Sequence, residues 1–382
     1  MQRLKGMVYT ERFVFEPGEV VIEGDTICAV NRCAEEEMTE AERRTYLLPG
    51  LIDIHFHGCA GYDFCDGTRE AFRAIAAYEL QHGITSICPA TMTFPEERLA
   101  RICSECAALV REDDSSPIPF REQLCGIYLE GPFISYDKRG AQNPEYIQRP
   151  DMDMLRRLQQ KAEGLIRIAV VAPEVEGAID CIREGREELR FSIAHTCADY
   201  ETTRRAIEAG ATQVTHLYNA MPPMSHRAPG VVGAAADDER VMAELICDGI
   251  HVHPAMVRST FKLFGAERMI LISDSMMAAG MPDGDYSLGG QAVKVQGSQA
   301  FLADGTIAGS VTNLYDCMVN AVSTGVPKEA AVRAASTNPA RAIGIADRYG
   351  SLGPGKKADI LITDRELVLY RVMKSGVWAV TD

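Results

Sequence analysis

Apolar and polar residues alternate in short runs between residues 8 and 31, with breaks at Gly18 and at Gly24-Asp25, which predicts antiparallel strands of a small β domain. From Leu47 the pattern changes. Near-continuous apolar runs rich in β-formers recur at residues 51–55, 84–88, 124–129, 166–172, 191–195, 213–216, 244–247 and 269–273, and amphipathic stretches such as 69–82 and 200–209 lie between them. Strands that are apolar on both faces and alternate with helices are parallel strands covered by helices. Eight such units favour an α/β fold of the (β/α)8 TIM-like barrel type. Three more helical stretches follow, at 313–323, 328–335 and 339–343, before Leu352-Gly353-Pro354-Gly355 opens a turn. The strand-like runs 358–363 and 367–374 then return to the chain's beginning. The expected organisation is a small β-sandwich domain formed from both chain ends, residues 1–48 with 352–382, around a catalytic barrel at 49–351.

Composition narrows the partners. The 382 residues carry 39 Lys and Arg against 54 Asp and Glu, a formal charge of −15 without a basic tract, so phosphate-backbone binding to nucleic acid is not expected. Residues 1–10 lack the apolar core of a secretory leader, and no run approaches the ~18 apolar residues of a membrane span. A cytoplasmic protein without a membrane partner is expected. The twelve cysteines sit largely in apolar contexts and read as reduced. Cys103 and Cys106 form a CxxC within a helical stretch that has no second pair, which does not make a zinc or redox site.

Of the eight histidines, four stand at or just after the ends of expected strands: His55, His57, His195 and His216. Glu130 ends the third strand and Asp274 the eighth. In a (β/α)8 barrel these ends face one another at the rim that carries the active site. Any one of these residues could be an ordinary hydrogen-bonded group at the edge of a core. Six metal-ligating residue types at the same strand position are not explained that way, and imidazole with carboxylate suits zinc or a similar divalent ion.

The motifs around them carry a resemblance. The segment Pro49-Gly50-Leu51-Ile52-Asp53-Ile54-His55-Phe56-His57-Gly58 resembles the first-strand metal motif of the amidohydrolase superfamily, in which alternate histidines project into the barrel mouth. Leu129-Glu130-Gly131-Pro132-Phe133, His216-Leu217-Tyr218-Asn219-Ala220-Met221, His226-Arg227-Ala228-Pro229-Gly230, Asp248-Gly249-Ile250-His251, and Ser273-Asp274 followed by Ala279-Gly280 extend the likeness. In order and spacing they are similar to the N-acetylglucosamine-6-phosphate deacetylase family of that superfamily, from about Leu47 to Ala358.

The resemblance implies a ligand set and a reaction. Glu130, His195 and His216 would bind one divalent ion, and His55, His57 and Asp274 a second, with Glu130 shared; zinc is expected first, with iron, cobalt or manganese as alternatives. The carboxylated lysine of dihydroorotase-like relatives is not apparent, and Glu130 takes its place. Asp274 would be the general base that deprotonates a metal-activated water and returns the proton to the leaving amine. The implied reaction is deacetylation of N-acetylglucosamine 6-phosphate to glucosamine 6-phosphate and acetate.

A dianionic substrate entering a protein of charge −15 needs local positive charge. His226, Arg227 and His251 would provide it, with Asn219 and the Ala220 backbone as neutral donors, and the resemblance implies a homodimer in which Arg227 reaches the partner's site. Where family members often carry histidine, the segment Gly140-Ala141-Gln142-Asn143-Pro144 has Gln142, which would contact the acetamide or a sugar hydroxyl as a neutral group. N-acetylgalactosamine 6-phosphate is the alternative substrate. Another amidohydrolase reaction, or a non-catalytic barrel scaffold, ranks below it because every proposed ligand is retained.

Overall fold

The structure, a computed structural model, describes residues 1–112 and 114–379. Strands from both chain ends share one seven-stranded sheet, in the order Val377–Trp378, Leu369–Lys374, Ile360–Thr363, Tyr46–Pro49, Gln2–Tyr9, Phe15–Glu23 and Thr26–Arg32. One continuous hydrogen-bonded sheet thus stands where a two-sheet sandwich was expected. The cause is Gln2–Tyr9, which pairs antiparallel with Phe15–Glu23 on one edge and parallel with Tyr46–Pro49 on the other, so the ladder runs unbroken between the chain ends. Gly18, expected to be a break, lies inside a strand. It faces Gly6 across the ladder, and a Cβ there would come 2.8 Å from the Asn31 carbonyl oxygen. Glycine here permits close strand approach and does not end the strand.

All eight strands expected from residue 51 onward are present: Leu51–Asp53, Ile84–Ile87, Ile127–Leu129, Ile166–Val171, Arg190–Ile193, Gln213–Val214, Met242–Ile246 and Met269–Ile272. The last six form one parallel sheet in chain order and the first two a parallel pair. Parallel bridges between Ile87 and Leu124 and between Ala90 and Tyr128 join pair and sheet. At the other edge the Asp274 N–H donates to the His55 carbonyl at 3.0 Å, and the Ser273 hydroxyl and N–H donate to the Asp53 carboxylate. Between these strands, Ile52, Ile54, Ile168, Val170, Ile270 and Ile272 are fully buried in one cluster. Each such side chain contributes ~1.5–3 kcal/mol, so packing beneath the strand ends holds them at set separations.

The expected helices appear as Arg69–Gln81, Tyr200–Ala209, Leu314–Ser323, Lys328–Ala335 and Thr337–Ala342. Their starts are legible: Thr68, Asp199 and Asn313 each accept a backbone N–H from the first turn of the helix that follows. Cys103 and Cys106 lie in Glu96–Arg111 with their side chains in the core. Two sheets were not anticipated: the short pair Gly58–Cys59 and Tyr62–Asp63, and a three-stranded antiparallel sheet of Gly284–Leu288, Gln291–Gln296 and Gln299–Phe301. The first turn of the three-stranded sheet uses Gly289 and Gly290, both at positive φ, the glycine pair that a two-residue hairpin requires. Among the described residues no helix is long and apolar enough to cross a membrane.

Candidate active site

His55 and His57 follow the strand Leu51–Asp53, Glu130 follows Ile127–Leu129, His195 follows Arg190–Ile193, His216 follows Gln213–Val214, and Asp274 comes two residues after Met269–Ile272. All six are buried. His195, His216 and Asp274 adopt φ of 45°, 30° and 48°, a region that costs on the order of 1–3 kcal/mol for a residue with a Cβ. The structure tolerates the strain because neighbours over-determine it: Asp274 is clamped by its N–H on the His55 carbonyl and by the Ser310 N–H on its own carbonyl, at 2.8 Å. The bend lifts each chain segment out of its strand and brings the side chain to the shared centre.

Glu130 is that centre. One of its oxygens lies 3.1 Å from His195 Nε2 and 3.1 Å from His216 Nε2, and those two nitrogens are 3.1 Å apart. Its other oxygen is 3.2 Å from His57 Nε2, which is 3.3 Å from Asp274 Oδ1. His55 Nε2 stands 3.4 Å from Glu130 and 3.8 Å from Asp274. Two triads result, Glu130 with His195 and His216, and His55 and His57 with Asp274, each with ligand atoms within 4.8 Å of one another.

This arrangement fits divalent metal. His55 Nε2 is buried with no hydrogen-bond partner, and the donor set is the imidazole and carboxylate mixture of zinc-type sites. Burial drives the His57 imidazole toward its neutral form, yet the hydrogen bonds to Asp274 and Glu130 overcome it and hold its pKa up at about 10. Burial likewise opposes protonation of His55, and the charges of Glu130 and Glu244 outweigh it. A pocket this hungry for positive charge is one that a cation satisfies, releasing the protons. Burial raises the Asp274 carboxyl, but the His57 hydrogen bond and the nearby imidazoles carry it below the ordinary value.

Two further contacts orient these side chains. The Lys138 carbonyl lies 2.9 Å from His195 Nδ1, so that nitrogen carries the proton and Nε2 faces Glu130. Gln142 is buried with both polar ends on protein: its NH2 donates to Glu130 at 2.7 Å, and its oxygen accepts the Thr93 N–H at 2.7 Å. Gln142 thus braces Glu130 while also lining the pocket, and the second lone pair of its oxygen is not taken up by the Thr93 bond.

Five of the six, all but His55, line a pocket of about 460 Å³ that Gln142, Asn219, Ala220 and His251 also line. His251 is fixed through Nδ1, 2.7 Å from Asp248, whose other oxygen accepts the Ile250 and His251 N–H groups. Burial works against the charged His251 ring, and Asp248 overrides it to a raised pKa. The Asn219 NH2 donates weakly to the His216 and Leu217 carbonyls at 3.2 and 3.3 Å. His226 and Arg227 do not join them. Both are exposed, and Arg227 lines a separate surface cleft with Cys197, Tyr200 and Pro229. Sequence reasoning missed Lys138 and Arg139, which line the pocket, and Leu288 and Ile307, which the segment after the eighth strand brings there. The Lys138-Arg139 pair just before Gly140 was the available signal for the first two.

Comparison with known proteins adds a family. The profile of the amidohydrolase family matches residues 46–379. The chain belongs to the amidohydrolase family. This amidohydrolase is 37% identical over 375 residues to the N-acetylglucosamine-6-phosphate deacetylase of Bacillus subtilis (strain 168), covering 95% of this chain and 93% of the relative. It is also 37% identical over 336 residues to the N-acetylgalactosamine-6-phosphate deacetylase of Escherichia coli O157:H7, covering 86% of each. Among solved structures it is similar to a mutant N-acetyl-D-glucosamine-6-phosphate deacetylase from Mycobacterium smegmatis in complex with N-acetyl-D-glucosamine-6-phosphate. The TM-score is 0.90 at 35% identity, covering 99% of this chain and 98% of that one.

Proposed function

We propose that this amidohydrolase removes the acetyl group of N-acetylglucosamine 6-phosphate, giving glucosamine 6-phosphate and acetate. The observation that carries the reading is the convergence of four histidines and two carboxylates, five of them lining one pocket, in a chain similar to relatives of that name over nearly its whole length. Glu130, His195 and His216 would hold one divalent ion, and His55, His57 and Asp274 a second, with zinc the first choice for either. Bound by these residues, such an ion would supply acidification of a water and polarisation of the acetamide carbonyl. Asp274, held ionised beside His57, accepts the water's proton and passes it to the leaving amine. His251, kept cationic by Asp248, and the Asn219–Ala220 segment meet the phosphate, which leaves the amide over Asp274.

Arg227 is assigned to the phosphate of a partner subunit's site in a homodimer. Its exposed loop, outside its own pocket in a protein of charge −15, supports that assignment. The eight parallel strands are read as one closed barrel, supported by the contacts between the first and last strands. The domain limits are read as 1–48 with 352–382 and 49–351, a division supported by the sheet that both chain ends share, with residues 380–382 outside the described part. The cytoplasm is the expected location. N-acetylgalactosamine 6-phosphate is the second reading, because the relative named for it is also 37% identical. Chelation tests the chemistry. Acetate release should stop in a chelator and return on adding zinc, and activity that survives chelation contradicts the metal role.

A further inference from the structure

Glu244 lies in the strand Met242–Ile246, fully buried between Ala243 and Leu245. A carboxylate in that setting must have every lone pair occupied. One oxygen is 2.9 Å from His55 Nδ1 and 3.4 Å from the His216 N–H. The other accepts the Tyr128 hydroxyl at 3.1 Å and the Gln213 amide. Donor and acceptor roles along this line are settled from its far end. An arginine side chain has only hydrogens to give, and Arg190 Nε lies 2.6 Å from Gln213 Oε1 while its terminal nitrogen donates to the Thr212 carbonyl at 2.9 Å. Gln213 must therefore turn its oxygen to Arg190 and its NH2 to Glu244. Glu244 accepts on both oxygens, so His55 carries its proton on Nδ1. Nε2 is the nitrogen left facing Glu130 and Asp274 with no other partner, the one whose lone pair a cation would take up on displacing its proton.

We propose that Arg190, Gln213 and Glu244 form a positioning relay that holds His55 in the tautomer able to ligate metal. The inference rests on the reading of His55 as a ligand. It makes a sharp claim about direction. In Glu244→Gln the new amide cannot put its NH2 against the Gln213 NH2, so it turns its oxygen there and its NH2 toward His55. His55 Nδ1 then accepts, and the proton moves to Nε2, the atom that should bind metal. Adding Gln213→Glu reverses this: the new carboxylate accepts from Arg190 and from the NH2 of the amide now at position 244, and the oxygen of that amide again accepts from His55 Nδ1. The swap keeps the carboxylate but moves it next to Arg190, where it is paired, so an effect of charge alone would not be restored.

The test is zinc binding by the metal-free full-length chain in chelator-buffered zinc, for wild type, His55→Ala, Glu244→Gln and the Gln213→Glu/Glu244→Gln swap, with thermal melting as a control on folding. Glu244→Gln should weaken the binding step that His55→Ala abolishes by about 10- to 100-fold, and the swap should return it to within about threefold of wild type. Wild-type affinity in Glu244→Gln, or a swap that binds no better than the single change, overturns the relay. Should Glu244→Gln not fold, the swap decides alone, since it keeps an acceptor on Arg190 and on His55 Nδ1 while the Tyr128 hydroxyl can donate to Thr215 instead; a swap that fails to fold also overturns the relay. A wild-type chain that takes up no zinc contradicts the metal reading itself, whereas zinc uptake insensitive to Glu244 contradicts only the relay.

Discussion

Replacing Gln142 by leucine removes two buried contacts while nearly conserving volume. The NH2 bond to Glu130, 2.7 Å long, has a charged acceptor and contributes ~1.5–3 kcal/mol. The Thr93 N–H, buried and 2.7 Å from the Gln142 oxygen, is left without an acceptor at a cost of ~1–3 kcal/mol. Together the loss is about 2.5–6 kcal/mol. With an unfolding entropy of ~2.1 cal/mol/K per residue over 382 residues, Tm should fall by about 3–7 °C, which scanning calorimetry of the zinc-loaded protein resolves. Glu130 also loses its brace, so zinc affinity should drop about 10- to 100-fold, while KM measured at saturating zinc should stay near wild type if bracing Glu130 is the main role of Gln142. The opposite pattern, wild-type Tm and zinc affinity with a raised KM, would refute this reasoning and return Gln142 to the substrate.

Asp274→Asn should leave the fold and most metal in place yet cut turnover by at least ~10²-fold; near wild-type turnover would remove Asp274 from the role of base. Arg227→Ala should lower kcat/KM for the 6-phosphorylated sugar by roughly 10- to 200-fold, from a charged hydrogen bond of ~1.5–3 kcal/mol, and leave the unphosphorylated sugar nearly unchanged. Equal losses on both substrates would make Arg227 a structural residue. His251 has a pKa raised above its ordinary 6.5, so its cation persists through that pH and is lost as pH rises through the higher folded value. The phosphate-dependent part of kcat/KM should accordingly stay level across pH 6.5 and decline above it. His251→Gln should abolish that decline, and a profile with the same alkaline limb in the variant would assign it to another group.

The strands and the six converging residues were legible because each signal is local. A strand buried on both faces is a run of apolar residues, and a converging residue stands just beyond the run, as with Glu130 directly after Leu129 and Asp274 two positions after Ile272. Helix starts were legible through Thr68, Asp199 and Asn313 for the same reason. Partnerships were not. Nothing next to Gln142 in the chain announces that it braces a carboxylate twelve positions earlier, and the run 244–247 was read as apolar although its first residue, Glu244, is a buried carboxylate that demands partners on other strands. The hairpin of Gln291–Gln296 carried its signal in Gly289-Gly290 and in the alternation that follows, which went unread beside the stronger barrel pattern. The single sheet at the chain ends depends on how Gln2–Tyr9 shares its two edges, a choice between long-range pairings that alternation leaves open.

The central claim is the reaction itself. The direct measurement is kcat/KM for acetate release by the zinc-loaded wild-type protein from N-acetylglucosamine 6-phosphate, N-acetylgalactosamine 6-phosphate and unphosphorylated N-acetylglucosamine, each repeated after chelation. The account predicts metal-dependent release that is fastest from N-acetylglucosamine 6-phosphate and far slower from the unphosphorylated sugar. Faster release from the galacto substrate would move the assignment to the second reading, and no acetate from any of the three with zinc bound would contradict the account.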